Sequence, residues 1–259
     1  MRPWETVERA QAPDGTEMAL ARRDGEWVVR YGGKLLMSSR QHGSEDALAA
    51  LGLQRARRRR AVLVGGLGLG FTARAALDRL PTDARLVVAE LTPALVEWNR
   101  RLVGGLAGRP LDDPRCQVEV VDVAARIAGA RAAWDAILLD VDNGPSSAVH
   151  RANHRLYGEA GIAACRAALA EGGVLAVWSA HHDLPYLRRL ERAGFAAEAR
   201  IVPARGDAGG LRHVLFLAVK RDGGGPGARR GGGRQGASRT GRSSPRSTAR
   251  SSRTSVAER

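Results

Sequence analysis

The feature that most constrains this chain is an apolar run, Ala61-Val62-Leu63-Val64, that passes without a break into Gly65-Gly66-Leu67-Gly68-Leu69-Gly70. Four consecutive apolar residues leave no polar face, so the run reads as a strand covered on both sides, as in a parallel sheet between helices. A helix through Ala73, Ala76, Leu77 and Leu80 follows. Similar short strands recur at Leu86–Ala89, Val118–Val121, Ala136–Leu139 and Val174–Val177. Helical segments lie between them: one opens at Thr92-Pro93, where Pro suits the first helical position, and another runs from Glu159 to Leu169. Strands alternating with helices call for a parallel sheet with right-handed crossovers. The expected fold class is therefore α/β, Rossmann-like, with a mostly parallel sheet.

The flanks differ. Between about Gly15 and Met37 the pattern is of short alternating strands, with Asp24-Gly25 and Gly32-Gly33 as turns. Ser44 reads as the cap of a following helix, with Glu45 and Asp46 in its first turn. From Gly223 onward the chain is Gly, Arg, Ser, Thr and Pro with almost nothing to bury, and is expected to be disordered. The expected organisation is a small β-rich unit with a linking helix over 1–55, a nucleoside-binding catalytic domain over 56–220, and a tail over 221–259.

Composition narrows the function classes. The formal charge of +14 would suggest nucleic acid, but ten arginines opposed by Asp222 and Glu258 lie between Arg221 and Arg259 and supply +8 of it. Nucleic acid would thus be held through the basic tail alone. No stretch reaches ~18 uninterrupted apolar residues, and the start MRPWETVERAQAPDG lacks the apolar block of a secretory signal, so a cytoplasmic protein without a membrane partner is expected. Cys116 and Cys165 are isolated, which points to apolar packing and not to a disulfide framework or a metal site.

In such sheets the ligand lies beyond the carboxyl ends of the strands. There the sequence places Gly66, Gly68 and Gly70 after the first strand, Glu90 after the second, Asp122 and Val123 after the third, and Asp140 and Asp142 after the fourth. An acid about twenty positions beyond a glycine loop suits a ribose diol, and the absence of a Walker lysine favours a nucleoside over a phosphate-rich cofactor. Taken singly, Glu90 reads equally as a solvated strand-end acid and Asp122 as a helix cap. Two close carboxylates at Asp140 and Asp142 would repel one another, which raises one of them and equips it to accept a proton.

From about Gly32 to Lys220 these residues resemble the spermidine synthases. The match rests on Gly66, Gly68, Gly70 and Arg74, on Glu90, on Asp113-Pro114-Arg115, on Asp122, on Trp134-Asp135, on Leu156-Tyr157 and on Gly172-Gly173-Val174. The resemblance implies aminopropyl transfer from decarboxylated S-adenosylmethionine to a small-molecule amine, without a metal, with Asp140 in the place of the catalytic Asp and Asp122 on the adenine side. It leaves a homodimer open. The chain departs from the family at Leu69, where an Asp of the glycine loop is usual, at the shortened Asp140-Val141-Asp142-Asn143, and at Trp178, where a Gln is expected. Two other readings remain open: a methyltransferase using intact S-adenosylmethionine, and a non-catalytic nucleoside- or nucleic-acid-binding protein. His181-His182 would lie near an acceptor pocket or on a solvated loop.

Overall fold

The structure, a computed structural model, describes residues 2–141, 144–145 and 154–221, all within one compact unit. It opens with an antiparallel sheet of four strands, β1 (Glu5–Gln11), β2 (Glu17–Arg23), β3 (Glu26–Tyr31) and β4 (Lys34–Ser38), paired in chain order. Asp24-Gly25 and Gly32-Gly33 make its two tight turns with positive φ at all four positions, the geometry that suits the twist of two-residue hairpins. Strand β1 lies ahead of the segment in which sequence alternation placed the sheet.

Helix α1 (Gly43–Arg55) follows, and then the main sheet and its helices: β5 (Ala61–Gly65), α2 (Phe71–Leu77), β6 (Arg85–Glu90), α3 (Pro93–Trp98), β7 (Cys116–Val120), α4 (Val123–Ala128), β8 (Trp134–Leu139), α5 (His154–Tyr157), α6 (Glu159–Ala168), β9 (Leu169–Ser179), α7 (Leu184–Arg192), β10 (Phe195–Pro203) and β11 (Arg212–Lys220). The seven strands run in the order β10-β11-β9-β8-β5-β6-β7. Five are parallel, and β11 pairs antiparallel with both β9 and β10. The strand order reverses between β5 and β8, and such a reversal opens a crevice at the strands' carboxyl ends.

Period-two alternation divides the core. Val62 and Val64 of β5 pack with Leu48, Leu53 and Ala76 of α1 and α2 on one face. Leu63 packs with Ile127 of α4 and Ile162 of α6 on the other. Replacing a fully buried side chain such as Leu138 by Ala would cost roughly 2–5 kcal/mol. A third cluster joins Met18, Leu20 and Val29 of the small sheet to Leu69, Leu95 and Trp98. Helix α1 lies close on the main sheet because residue 52 is Gly: a Cβ there would stand 2.8 Å from Leu138 Cδ2 and 3.0 Å from the Ala176 Cβ.

One expectation is corrected here. The cap of α1 is His42, and Ser44, two residues on in the first turn, is fully buried and bonded to other side chains. The β10–β11 hairpin, with α7 before it, supplies the antiparallel part of the expected mostly parallel sheet. Among the described residues no helix is long and apolar enough to cross a membrane. The expected disordered tail lies outside the described residues apart from Arg221.

Candidate active site

A cavity of about 590 Å³ lies over the carboxyl ends of β5, β6 and β8, walled by α1 and the small sheet. Its floor begins at the glycine loop. Gly66 has φ +87°, and a Cβ there would stand 2.3 Å from the Asp140 carbonyl oxygen, so only Gly allows β5 and β8 to end side by side. Asn99 holds the loop from below, its Nδ2 donating to the Gly68 carbonyl at 2.9 Å. Gly68 lines the cavity, and Gly70 caps α2 in the left-handed conformation.

Glu90, 5% exposed, joins the loop to the next turn: its Oε2 accepts the Leu67 N–H and its Oε1 the Thr92 N–H, both at 2.7 Å. Burial raises its carboxyl, against the pull of these amides. Asp122 caps α4, accepting the Ala124 N–H at 2.8 Å, and with Val123 it lines the cavity. Asp122 therefore performs the capping task the sequence suggested for it, whereas Glu90 is not the solvated strand-end acid that was the other reading of it but a buried one held by backbone amides, and both face the cavity.

Asp140 accepts the Thr72 hydroxyl at 2.6 Å. Burial pushes it up to about 6, against that hydrogen bond. Tyr157 fixes the backbone beside it by donating to the Val141 carbonyl at 3.0 Å. Asp142 and Asn143 lie outside the described residues. Facing Asp140 across the cavity is Glu45 of α1, pushed up to about 8 chiefly by burial and next by the charge of Asp140, against the Ser44 hydroxyl. Glu45 was read from sequence only as a first-turn acid, a role that helix position alone explains. Trp178, at the carboxyl end of β9, joins the same wall from a strand-end position, whereas that His213 of β11 joins it could not be read from local pattern at all.

Other matched residues are structural. Asp135 accepts the amides of Arg60 and Ala61 at 2.8 and 3.1 Å and ties β8 to the start of β5. Asp113 is held down to about 2, chiefly by the Arg115 guanidinium bonded to it at 2.7 and 2.9 Å. Leu69 is buried, 4% exposed, in the apolar cluster under the small sheet. Both cysteines are free; burial pushes Cys116 up to about 11 and Cys165 to about 12. Among the described residues no group of three His, Cys, Asp or Glu side chains could hold a metal ion.

Strand order, glycine loop and strand-end acids together define a Rossmann-like class I methyltransferase fold. Within that class the chain is similar to spermidine synthases of known structure. The crystal structure of one in complex with the transition-state analogue AdoDATO matches at TM-score 0.67 and 18% identity, over 83% of this chain and 72% of that chain. Spermidine synthase from Thermotoga maritima gives the same values. A probable spermidine synthase from Corynebacterium glutamicum matches at TM-score 0.59 and 18% identity, over 85% of this chain and 81% of that chain. No protein-family model matches the sequence. At this identity the likeness is one of fold.

Proposed function

We propose that the chain is a transferase that moves the aminopropyl group of decarboxylated S-adenosylmethionine to an amine, with Asp140 as the base. One observation carries this reading: among the described residues the cavity is lined by Asp14, Glu45, Glu90, Asp122 and Asp140 and by no Lys or Arg, in a chain whose formal charge is +14. A cleft of one sign with low-dielectric walls concentrates ligands of the opposite sign. Sulfonium and ammonium ions suit it and phosphates do not, while the carboxylate of an intact S-adenosylmethionine would meet no Lys or Arg among the described residues of its walls.

In this reading the glycine loop passes close under the nucleoside, Glu90 accepts ribose hydroxyls with lone pairs its amide bonds leave free, and Asp122 and Val123 lie beside the base. Asp140 takes a proton from the acceptor's ammonium. The freed nitrogen lone pair attacks the methylene next to sulfur, the C–S electron pair returns to sulfur, and methylthioadenosine leaves as a neutral thioether. The product amine keeps a positive charge, so each turnover releases one proton. A carboxyl raised towards neutrality is a better match to this task than an ordinary Asp. Asp142 keeps the second place as candidate base.

Leu69 favours a second reading. With an apolar side chain in the glycine loop, the carboxylate of intact S-adenosylmethionine would meet no repelling charge at that point, as a methyltransferase requires. Thermal-shift titration separates the two, since preferential binding stabilises by mass action. Decarboxylated S-adenosylmethionine should raise the melting temperature more than the intact form, and small amines should then release methylthioadenosine. Stronger stabilisation by the intact form, with release of S-adenosylhomocysteine, would select the methyltransferase. Stabilisation by neither would overturn both.

A further inference from the structure

The side chains around Ser44 form a chain of hydrogen bonds that Asp140 alone does not explain. Ser44 is buried, and its Oγ has three polar neighbours: Glu45 Oε2 at 2.6 Å, Trp178 Nε1 at 3.0 Å and His213 Nδ1 at 2.9 Å. Trp178 Nε1–H can only donate. A hydroxyl has one proton and two lone pairs, so with Trp178 on one lone pair, one other neighbour must donate to Ser44 and the last must accept from it. Two arrangements satisfy every partner. In the first, protonated Glu45 donates to Ser44 and Ser44 donates to His213 Nδ1, leaving that ring protonated at Nε2. In the second, His213 Nδ1–H donates to Ser44 and Ser44 donates to the Glu45 carboxylate.

These two arrangements are the start and the end of a single proton passage. The Glu45 proton moves to Ser44 Oγ, the Ser44 proton moves to His213 Nδ1, and the imidazolium so formed loses its Nε2 proton. The first arrangement has then become the second, with one proton gone and no atom displaced. We infer that Glu45, Ser44 and His213 are a proton relay that carries away the proton which Asp140 takes from the acceptor. The inference rests on the transferase reading for its source of protons.

The surroundings fit this direction of travel. Asp140 and Glu45 line the same cavity, where water or the acceptor nitrogen would bridge them. Asp46 on the same helix adds a further negative charge near Glu45. His213 sits edge-on to Trp178, their ring centroids 4.5 Å apart, which fixes the imidazole plane. Burial and the neighbouring His181 hold His213 below the ordinary histidine range, so a proton does not rest there. His181 itself is exposed on the loop after β9, an outlet to solvent. Among the described residues no Lys or Arg lines the cavity to trap the charge.

Two measurements test the relay. ¹⁵N NMR of the ligand-free chain across roughly pH 5 to 9, the window where histidine titrates, should show neutral His213 exchanging its Nε2–H tautomer for Nδ1–H as Glu45 ionises. Glu45→Gln, which cannot ionise, should hold one tautomer throughout. A single tautomer in the unsubstituted chain, or a switch that survives Glu45→Gln, overturns the relay. In turnover, Ser44→Ala and His213→Ala should lower kcat by about tenfold or more, the lower range of proton-transfer effects, and leave KM for the donor unchanged. Ser44→Thr should restore rate to the first variant and added imidazole to the second. Full kcat in folded Ser44→Ala and His213→Ala overturns the relay and leaves the transferase reading intact. A tautomer switch in a chain that releases no methylthioadenosine from either donor leaves the relay standing and removes the transferase.

Discussion

The two sides of the cavity hold their acids differently. On the β6–β7 side, Glu90 and Asp122 accept from the backbone amides of Leu67, Thr92 and Ala124. An amide can donate and cannot accept, so protonating either acid at those oxygens would break a bond. On the β8–α1 side, Asp140 and Glu45 meet the hydroxyls of Thr72 and Ser44. A hydroxyl donates or accepts as required, so these acids can gain and lose protons while staying bonded. In the proposed reading, one side positions a ligand and the other moves protons.

The largest effect that would break this contrast is expected at Asp140. Asp140→Asn keeps the size of the side chain and a partner for Thr72 but cannot take a proton. Turnover measured by methylthioadenosine release should fall by about 10²-fold or more, with nucleoside affinity retained. A folded Asp140→Asn variant with full rate would move the base elsewhere, with Asp142 the first candidate. Loss of melting temperature in proportion to loss of rate would make Asp140 a structural acid like Glu90.

Glu90 should respond in the opposite sense. Glu90→Ala leaves the amides of Leu67 and Thr92 without their acceptor, at a cost of roughly 1–3 kcal/mol for each buried donor left unpaired. Chemical denaturation should therefore show a loss of stability along with weaker nucleoside binding by calorimetry. A variant that loses affinity but keeps full stability would mean that Glu90 serves the ligand alone and that the positioning side is less rigid than its hydrogen bonds imply.

The same contrast explains what could be read from sequence. Glu90, Asp122 and Asp140 each stand directly after an apolar strand, and a parallel sheet brings all strand ends to one edge, so local pattern was enough to gather them. Trp178 likewise stands at the carboxyl end of the parallel strand β9, whereas Glu45 and His213 reach the site from a helix and an antiparallel strand. Their meeting depends on the packing of α1 against the sheet, which Gly52 permits. Ser44 shows the limit most directly: its type and place suit a helix cap, but tertiary bonds to Trp178 and His213 claim the hydroxyl instead. The α7 start carried a usable signal in Asp183-Leu184-Pro185, with Asp183 Oδ1 accepting the Tyr186 N–H at 2.7 Å.

A smaller effect, on stability, sharpens the proton-moving side. Asp140 and Glu45 are raised to about 6 and about 8, so the fold favours their neutral forms. The stability this gives is complete below the ordinary carboxylate range, where both are protonated folded or unfolded, and is lost as pH rises through the folded values. Melting temperature should thus decline between about pH 5 and 8, while turnover rises as Asp140 ionises. Glu45→Gln removes one of the two groups, so the variant should melt above the unsubstituted chain at the alkaline end and close to it at the acidic end. Equal melting curves at both ends would show that Glu45 is solvated and belongs to neither side.

The smallest effect is expected from removing residues 222–259. Among the described residues, every side chain that lines the cavity lies between Ala12 and His213, and Lys220, the last residue of β11, is tied to the sheet by its Nζ donating to the Leu169 carbonyl at 2.8 Å. The removed segment brings little apolar surface and a strongly basic composition. Truncation should leave the melting temperature, nucleoside affinity and the His213 tautomer switch unchanged. If the segment acts as an electrostatic arm, nucleic-acid binding that weakens steeply with salt should vanish with it. A change in nucleoside affinity on truncation would mean that its arginines reach a cavity whose walls carry no Lys or Arg among the described residues, and the acidic cavity could then no longer be treated as a site for cations alone.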